Sequence, residues 1–199
     1  EITEVPESVA VIGGGYIGVE FAGIFANLGS QTHLVYRQPL PLRGFDEEVR
    51  NFAAEQYALS PGMHIHASRN PKKIVKLPNG KLQLTLGCAN SAEPDEVVEV
   101  DHVMMATGRK PNVANLGLEG AGVELDGRGA IKVDEYSRTT CPSIWAVGDV
   151  TGRMELTPVA LMESMALLQT LFNDNPTKPD HTNIATAVFS HPQIGTVGM

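Results

Sequence analysis

The stretch "VIGGGYIGVEFAGIFANLGSQTHLVYRQPLPLRGFD", residues 11–46, decides the fold. Gly13, Gly15 and Gly18 stand in it at the G-x-G-x-x-G spacing. Glycines also mark ordinary turns, so the flanks carry the argument. Upstream, "SVAVI" at residues 8–12 has the length and composition of a strand buried on both faces. Downstream, Ile17, Phe21, Ile24, Phe25 and Leu28 recur as one apolar stripe of a helix, and Gly29 sits where a helix stop belongs. "THLVY" at residues 32–36 reads as a second strand, which completes a βαβ unit with a right-handed crossover.

At such a junction each glycine has a mechanical role. Gly13 permits the tight turn, Gly15 lets the backbone approach a pyrophosphate, and Gly18 lets helix and strand pack closely. The first N–H groups of the helix and its dipole favour phosphate. In NAD-binding units an acid near the end of the second strand accepts hydrogen bonds from the ribose hydroxyls. Here that position reads Val35-Tyr36-Arg37, and residues 21–45 contain no Asp or Glu although the chain carries a net charge of -8. Arg37 and Arg43 can donate charge-assisted bonds to a 2′-phosphate, which points to NADP(H) over NAD(H). A solvated basic loop is the plainer alternative.

The remainder of the 199 residues alternates short apolar runs with helical periods, which fits an α/β fold. Asp46 caps a helix with Glu47 and Glu48 in its first turn, ending near residues 60–62. Residues 72–86 form a hairpin turned by Asn79-Gly80, and a loop over residues 87–96 precedes apolar runs at 97–100 and 103–106. After "ATGRKPN" at residues 106–112 the character changes to a second lobe. It has strands at 130–134 and 143–147 and a helix over 158–172, with Thr157 as N-cap and Pro158 in its first turn. Asp149, after an apolar strand, would present its carboxylate at the carboxyl edge of a sheet. A polar linker spans residues 173–181, and strands begin again from residue 186. The fold class expected is a Rossmann-like unit with a parallel sheet and a β-hairpin or meander, followed by part of another lobe.

The negative charge disfavours nucleic acid and anionic membranes as partners. Residues 9–28 are interrupted by Glu20 and five glycines, so no membrane span is expected. Nothing in the sequence addresses a compartment, and a soluble protein of cytoplasm or chloroplast is the expectation. Cys88 and Cys141 are too far apart for a CxxC pair and read as reduced structural thiols. His64 and His66 share one strand face without a further ligand cluster, so no metal site is expected. His191 is assigned no chemistry.

The glycine motif, "ATGRKPN", "WAVGDVTGRMELTPVAL" at residues 145–161 and "FSHPQIGTVG" at residues 189–198 together resemble the flavoprotein disulfide reductase family. Within it they look closest to the glutathione reductases of plants, algae and cyanobacteria. Lipoamide dehydrogenases are similar in fold but carry an acid where Tyr36 stands, whereas trypanothione reductases share the arginine pair. The resemblance implies an NADPH domain over residues 1–106, a return to the FAD domain over 107–176, and the start of a homodimer's interface domain over 177–199. It implies that Gly13, Gly15, Tyr16, Ile17, Gly18, Glu20, Arg37, Arg43, Gly108 and Arg109 surround the nucleotide. Tyr16 matches the aromatic gate over the flavin, and Glu20 the acid that pairs with a lysine of the FAD domain. Gly148, Asp149, Leu156 and Thr157 match the FAD side, where Asp149 accepts from the ribityl chain and the helix end faces the flavin N1–C2 carbonyl. The implied reaction takes hydride from NADPH through FAD and a redox disulfide to glutathione disulfide. The CxxxxC pair and the distal His-Glu pair that complete it are not among these residues, nor is a second glycine fingerprint. The chain is therefore expected to bind NADP(H) without turning over alone, and a stand-alone nucleotide-binding module is the alternative.

Overall fold

The computed structural model describes residues 2–88 and 93–198. In chain order the elements are β1 (Ser8–Ile12), α1 (Tyr16–Asn27), β2 (Gln31–Tyr36), α2 (Glu47–Leu59), β3 (Met63–Ala67), β4 (Arg69–Lys76), β5 (Leu82–Cys88), β6 (Glu96–Val100) and β7 (His102–Met105). They continue with α3 (Thr157–Phe172), β8 (Thr186–Val188) and β9 (Ile194–Thr196). The chain divides into two compact units. The first runs to Gly108 and takes in Ala185–Thr196, and the second begins at Arg109.

In the first unit a parallel sheet has the order β3-β2-β1-β7. All five residues of β1 are buried because both faces of the sheet are covered. Val9 and Val11 join one core with Leu34, Tyr36 and Leu42, while Ala10 and Ile12 join another with Val35, Leu84, Leu86 and Val100. The two-residue period of a strand thus feeds two cores at once. Burial of each large aliphatic side chain there contributes about 1.5–3 kcal/mol.

The second core is closed by the antiparallel sheet β4-β5-β6. Its hairpin turns through residues 77–81, where Gly80 has φ 87° and the Asn79 side chain accepts from the Lys81 N–H. The loop expected over residues 87–96 includes residues 89–92, which lie outside the described residues. α2 begins as expected, with the Asp46 carboxylate accepting from the N–H groups of Glu48 and Val49. Tyr57 of α2 donates to Ser190 at 2.7 Å, tying that helix to the segment between β8 and β9.

One detail differs from the sequence pattern. The bulky stripe of α1 docks only in part: Phe25 packs against the first core and Ile17 is half-buried, but Phe21, Ile24 and Leu28 are exposed, whereas Gly18, Val19 and Ala22 are buried. At Gly18 the helix lies so close that a Cβ would meet the Gly13 carbonyl, which is why small residues stand on this face.

In the second unit the strands expected at 130–134 and 143–147 reduce to isolated bridges, Leu125 to Ile131, Val133 to Thr139 and Arg138 to Trp145. Their N–H groups do bond backbone carbonyls, but those of Val150, Glu124, Arg138, Cys141 and Ser137, so the partner changes from residue to residue and no single strand runs alongside. Asp126 accepts from the N–H groups of Arg128 and Ala130, and Asp134 from those of Tyr136 and Arg138. Asp149 therefore does not follow a regular strand; it lies exposed on a short 3-10 turn, Gly148–Thr151. Thr157 is the first residue of α3 rather than its cap. Leu156 holds the extended N-cap conformation, and no side chain caps the helix. Among the described residues no helix is long and apolar enough to cross a membrane.

Candidate functional site

At the carboxyl ends of β1 and β2 lies a cleft of about 400 Å³. Its floor is the glycine turn. Gly13 has φ 136°, and a Cβ there would run into the Ala106 carbonyl; one on Gly18 would run into the Gly13 carbonyl. Both positions therefore exclude any larger residue on steric grounds within the protein itself. Beside Gly15 nothing of the protein lies within 4 Å of where a Cβ would stand. Gly15 lines the cleft, so a side chain there would take up space that a ligand could use. Gly15 is also the N-cap of α1, without a side-chain cap.

The wall opposite is the loop from Arg37 to Arg43. Leu42 sinks into the first core and donates its N–H to the Gly14 carbonyl at 2.7 Å. Arg50 of α2 donates to the carbonyls of Pro41, at 2.8 Å, and Leu40, at 3.1 Å. These contacts bring Arg37 and Arg43 into the lining with Gly13, Gly15 and Gly108. None of the lining residues is acidic. Tyr36 also lines the cleft, and burial pushes its phenol up to about 12, so it brings no charge.

Sequence reasoning missed Gln38, Arg69 and Thr107 in this lining. Arg69 differs from the other two arginines, because Glu96 at 2.9 Å and Glu93 at 3.0 Å already balance it. Arg37 and Arg43, both exposed, remain the cations offered to a ligand. No local signal marks Arg69, which arrives through the antiparallel sheet.

Tyr16, Ile17, Gly18 and Glu20 do not line the cleft. Tyr16 opens α1 and is 43% exposed. Ile17 is half-buried, and Glu20 accepts the Phe189 N–H at 2.8 Å. Arg109 is an exposed residue at the start of the second unit. Gly148, Asp149, Leu156 and Thr157 also belong to that unit. There Asp149 offers an exposed carboxylate, and the first turn of α3 offers N–H groups that no side chain occupies. An acceptor beside unoccupied donors suits a ligand bearing hydroxyl and carbonyl groups. Among the described residues no group of three or more His, Cys, Asp or Glu could hold a metal ion.

The family described as pyridine nucleotide-disulphide oxidoreductase matches residues 1–164. The chain belongs to this family. Among its relatives, chloroplastic/mitochondrial glutathione reductase of Pisum sativum is 50% identical over 98% of the chain. Trypanothione reductase of Trypanosoma congolense is 45% identical over all of it. The HOCl-induced flavoprotein disulfide reductase RclA of Escherichia coli, solved as a Cu(II) complex, superposes with a TM-score of 0.88 at 32% identity over the whole chain. The chain spans 34%, 39% and 44% of these proteins' lengths, respectively. The parallel sheet with its glycine turn and covering meander is thus the pyridine nucleotide-disulphide oxidoreductase form of the α/β fold.

Proposed function

We propose that this chain is the nucleotide-binding part and adjoining flavin-facing segment of an NADPH-dependent glutathione-disulfide reductase. The observation that carries the reading is the cleft: a glycine turn open at Gly15, faced by Arg37 and Arg43, with no carboxylate to repel a 2′-phosphate. A neutral Tyr36 stands where NAD-dependent relatives would carry an acid. The pea relative, a glutathione reductase by name, supports the substrate.

Residues 1–106 bind NADP(H), residues 107–176 return to the FAD domain, and residues 177–199 open the interface of a homodimer. Gly13, Gly15, Gly18 and Gly108 shape the nucleotide site, Arg37 and Arg43 hold the 2′-phosphate, and Arg109 attends the other phosphates. Tyr16 and Ile17 lie toward the nicotinamide end, with Tyr16 as its gate and Glu20 as the acid behind it. Gly148, Asp149, Leu156 and Thr157 hold FAD, which when bound relays two electrons from NADPH toward glutathione disulfide. A soluble protein of the cytoplasm or chloroplast fits this reading, and the pea relative is named chloroplastic/mitochondrial. A related substrate, the trypanothione disulfide, is the second reading, favoured by the trypanosomal relative that matches the full chain.

The test is a pair of titrations with the intact protein. NADP⁺ should bind far more tightly than NAD⁺, and Arg37→Ala with Arg43→Ala should erase the difference by weakening NADP⁺ on the order of 100-fold. Equal affinity in the unsubstituted protein would reject the reading.

A further inference from the structure

The second unit contains a carboxylate that the nucleotide cleft does not use. Glu163, in the second turn of α3, is 1% exposed. A buried carboxylate is tolerated only when its charge is balanced and its oxygens are occupied. Here Oε2 accepts the Gly148 N–H at 2.6 Å, and Oε1 receives Arg153 at 3.0 Å and His181 at 2.7 Å.

These contacts close into a ring. The Gly148 carbonyl accepts from the Thr151 hydroxyl at 2.8 Å, and that hydroxyl oxygen accepts from Arg153 Nε at 3.3 Å. Arg153 then reaches Glu163, which returns to Gly148. Arg153 is itself steadied by donation to the Ser137 hydroxyl at 3.0 Å. Gly148 has φ 73°, and a Cβ there would press on Ala160 of α3 at 3.2 Å. Two glycines in the left-handed region, Gly148 and the C-cap Gly152 at φ 61°, thus bracket the turn, and the buried carboxylate ties its first residue to α3. Asp149 is the next residue, and the uncapped start of α3 lies six residues before Glu163.

We infer that Glu163 is a positioning residue for the flavin: its carboxylate, through Gly148, Arg153 and His181, locks the Asp149 turn to the first turn of α3. This rests on the reading that those two elements face FAD. Asp149 reaches solvent on a turn of four residues and has little packing of its own to define it. Val150 anchors the turn to the second unit's core and accepts the Ile131 N–H at 2.8 Å, but the hydrogen-bonded link from the turn to α3 runs through Glu163, and without it the acceptor for the ribityl chain would lose that registration to the donors for the ring carbonyl. Gln at position 163 keeps the shape but has one acceptor oxygen, so it satisfies either Gly148 or the Arg153 and His181 pair, not both.

The experiment uses the intact protein with FAD. The unsubstituted protein, Glu163→Gln and His181→Asn are compared by FAD dissociation constant, flavin absorption spectrum and flavin midpoint potential. Thermal melting checks the fold of each. Glu163→Gln should raise the FAD dissociation constant about tenfold and shift both spectrum and potential. His181→Asn, at a partly exposed position, should act in the same direction with a smaller effect. Arg153→Lys, which keeps a cation against the carboxylate but cannot hold Thr151 and Glu163 by two separate donors, should recover only part of the binding that Arg153→Ala loses. Arg37→Ala should leave all three flavin readouts unchanged, which separates this site from the nucleotide cleft. If Glu163→Gln and His181→Asn both keep the flavin affinity, spectrum and potential of the unsubstituted protein, the assignment is overturned while the proposed function stands. An unsubstituted protein that takes up no flavin would overturn both.

Discussion

Leu42 donates its backbone N–H to the Gly14 carbonyl at 2.7 Å, while its side chain is buried in the core beneath α1. It does so with φ 53°, in the left-handed region that a branched side chain normally avoids. The core contact holds the strained backbone in place, and Arg43 follows directly. Replacing Leu42 with Ala should therefore lower stability by about 2–4 kcal/mol and also blunt the preference for NADP(H). Leu42→Gly removes the same contacts but relieves about 1 kcal/mol of backbone strain, so it should be no less stable than the Ala variant. Urea unfolding of the two variants decides this. A Gly variant clearly below Ala would mean the strain is not there.

Arg50 offers a test of the same loop from outside the cleft. Its guanidinium holds the Pro41 and Leu40 carbonyls by two separate donors, a geometry Lys cannot reproduce. Both Arg50→Ala and Arg50→Lys should weaken NADP⁺ binding several-fold, with only a small change in melting temperature. Recovery of affinity in the Lys variant would show that Arg50 acts by charge rather than by shaping the loop.

The glycines separate folding from binding. Gly18→Ala forces a Cβ against the Gly13 carbonyl beneath the turn, so α1 must move off β1 and the protein should lose stability by several kcal/mol. Gly15→Ala meets no protein atom, so its melting temperature should be nearly unchanged while NADP⁺ binding falls at least tenfold. Calorimetry on both variants, with and without nucleotide, checks the contrast. Comparable loss of stability in the two would remove the ligand-based reason for a glycine at position 15.

What was legible in the sequence was local. β1, the glycine turn, α1 and β2 follow one another within thirty residues, and each signal sits beside the element it specifies. The same holds for the Asp46 cap and the Asn79-Gly80 turn. The docking face of α1 was legible only in part, through Phe25, because periodicity registers large apolar residues, whereas close approach to a sheet selects small ones such as Gly18 and Ala22. Residues 130–134 and 143–147 have strand composition, but their N–H groups bond carbonyls of scattered segments rather than one partner strand, a tertiary pairing that composition does not reveal. In the cleft, Arg37 and Arg43 could be found by their spacing from the glycines. Arg69 and Arg50 could not, since one enters through a neighbouring sheet and the other acts on carbonyls with no sequence signature.

His33 provides a pH test of how the two sheets of the first unit are joined. Its ring lies 3.0 Å, Nδ1 to Nε2, from His66, which in turn meets Glu96 of the meander at 2.7 Å; His64 stacks on His33 at 4.8 Å. Burial first, then repulsion from His66 and His64, lowers the His33 pKa from 6.5 to about 4. The folded protein therefore keeps His33 neutral, while the unfolded chain takes up a proton near the ordinary value of about 6.5. Between those two values unfolding binds a proton, so stability is fully present above about pH 6.5 and declines as pH falls toward 4. The loss is on the order of 2 kcal/mol, allowing for solvent screening of a partly exposed ring. Asp101 works in a lower window. Hydrogen bonds from Ser8, followed by Lys81, hold its carboxyl below the usual carboxylate range, so its contribution is present above that range and lost only in stronger acid. Urea unfolding midpoints at about pH 7, 5.5 and 4.5 should fall steadily for the unsubstituted protein, and His33→Gln should flatten the curve across that interval while leaving the acid limb set by Asp101. Parallel curves for the two proteins would show that His33 does not carry the proton linkage.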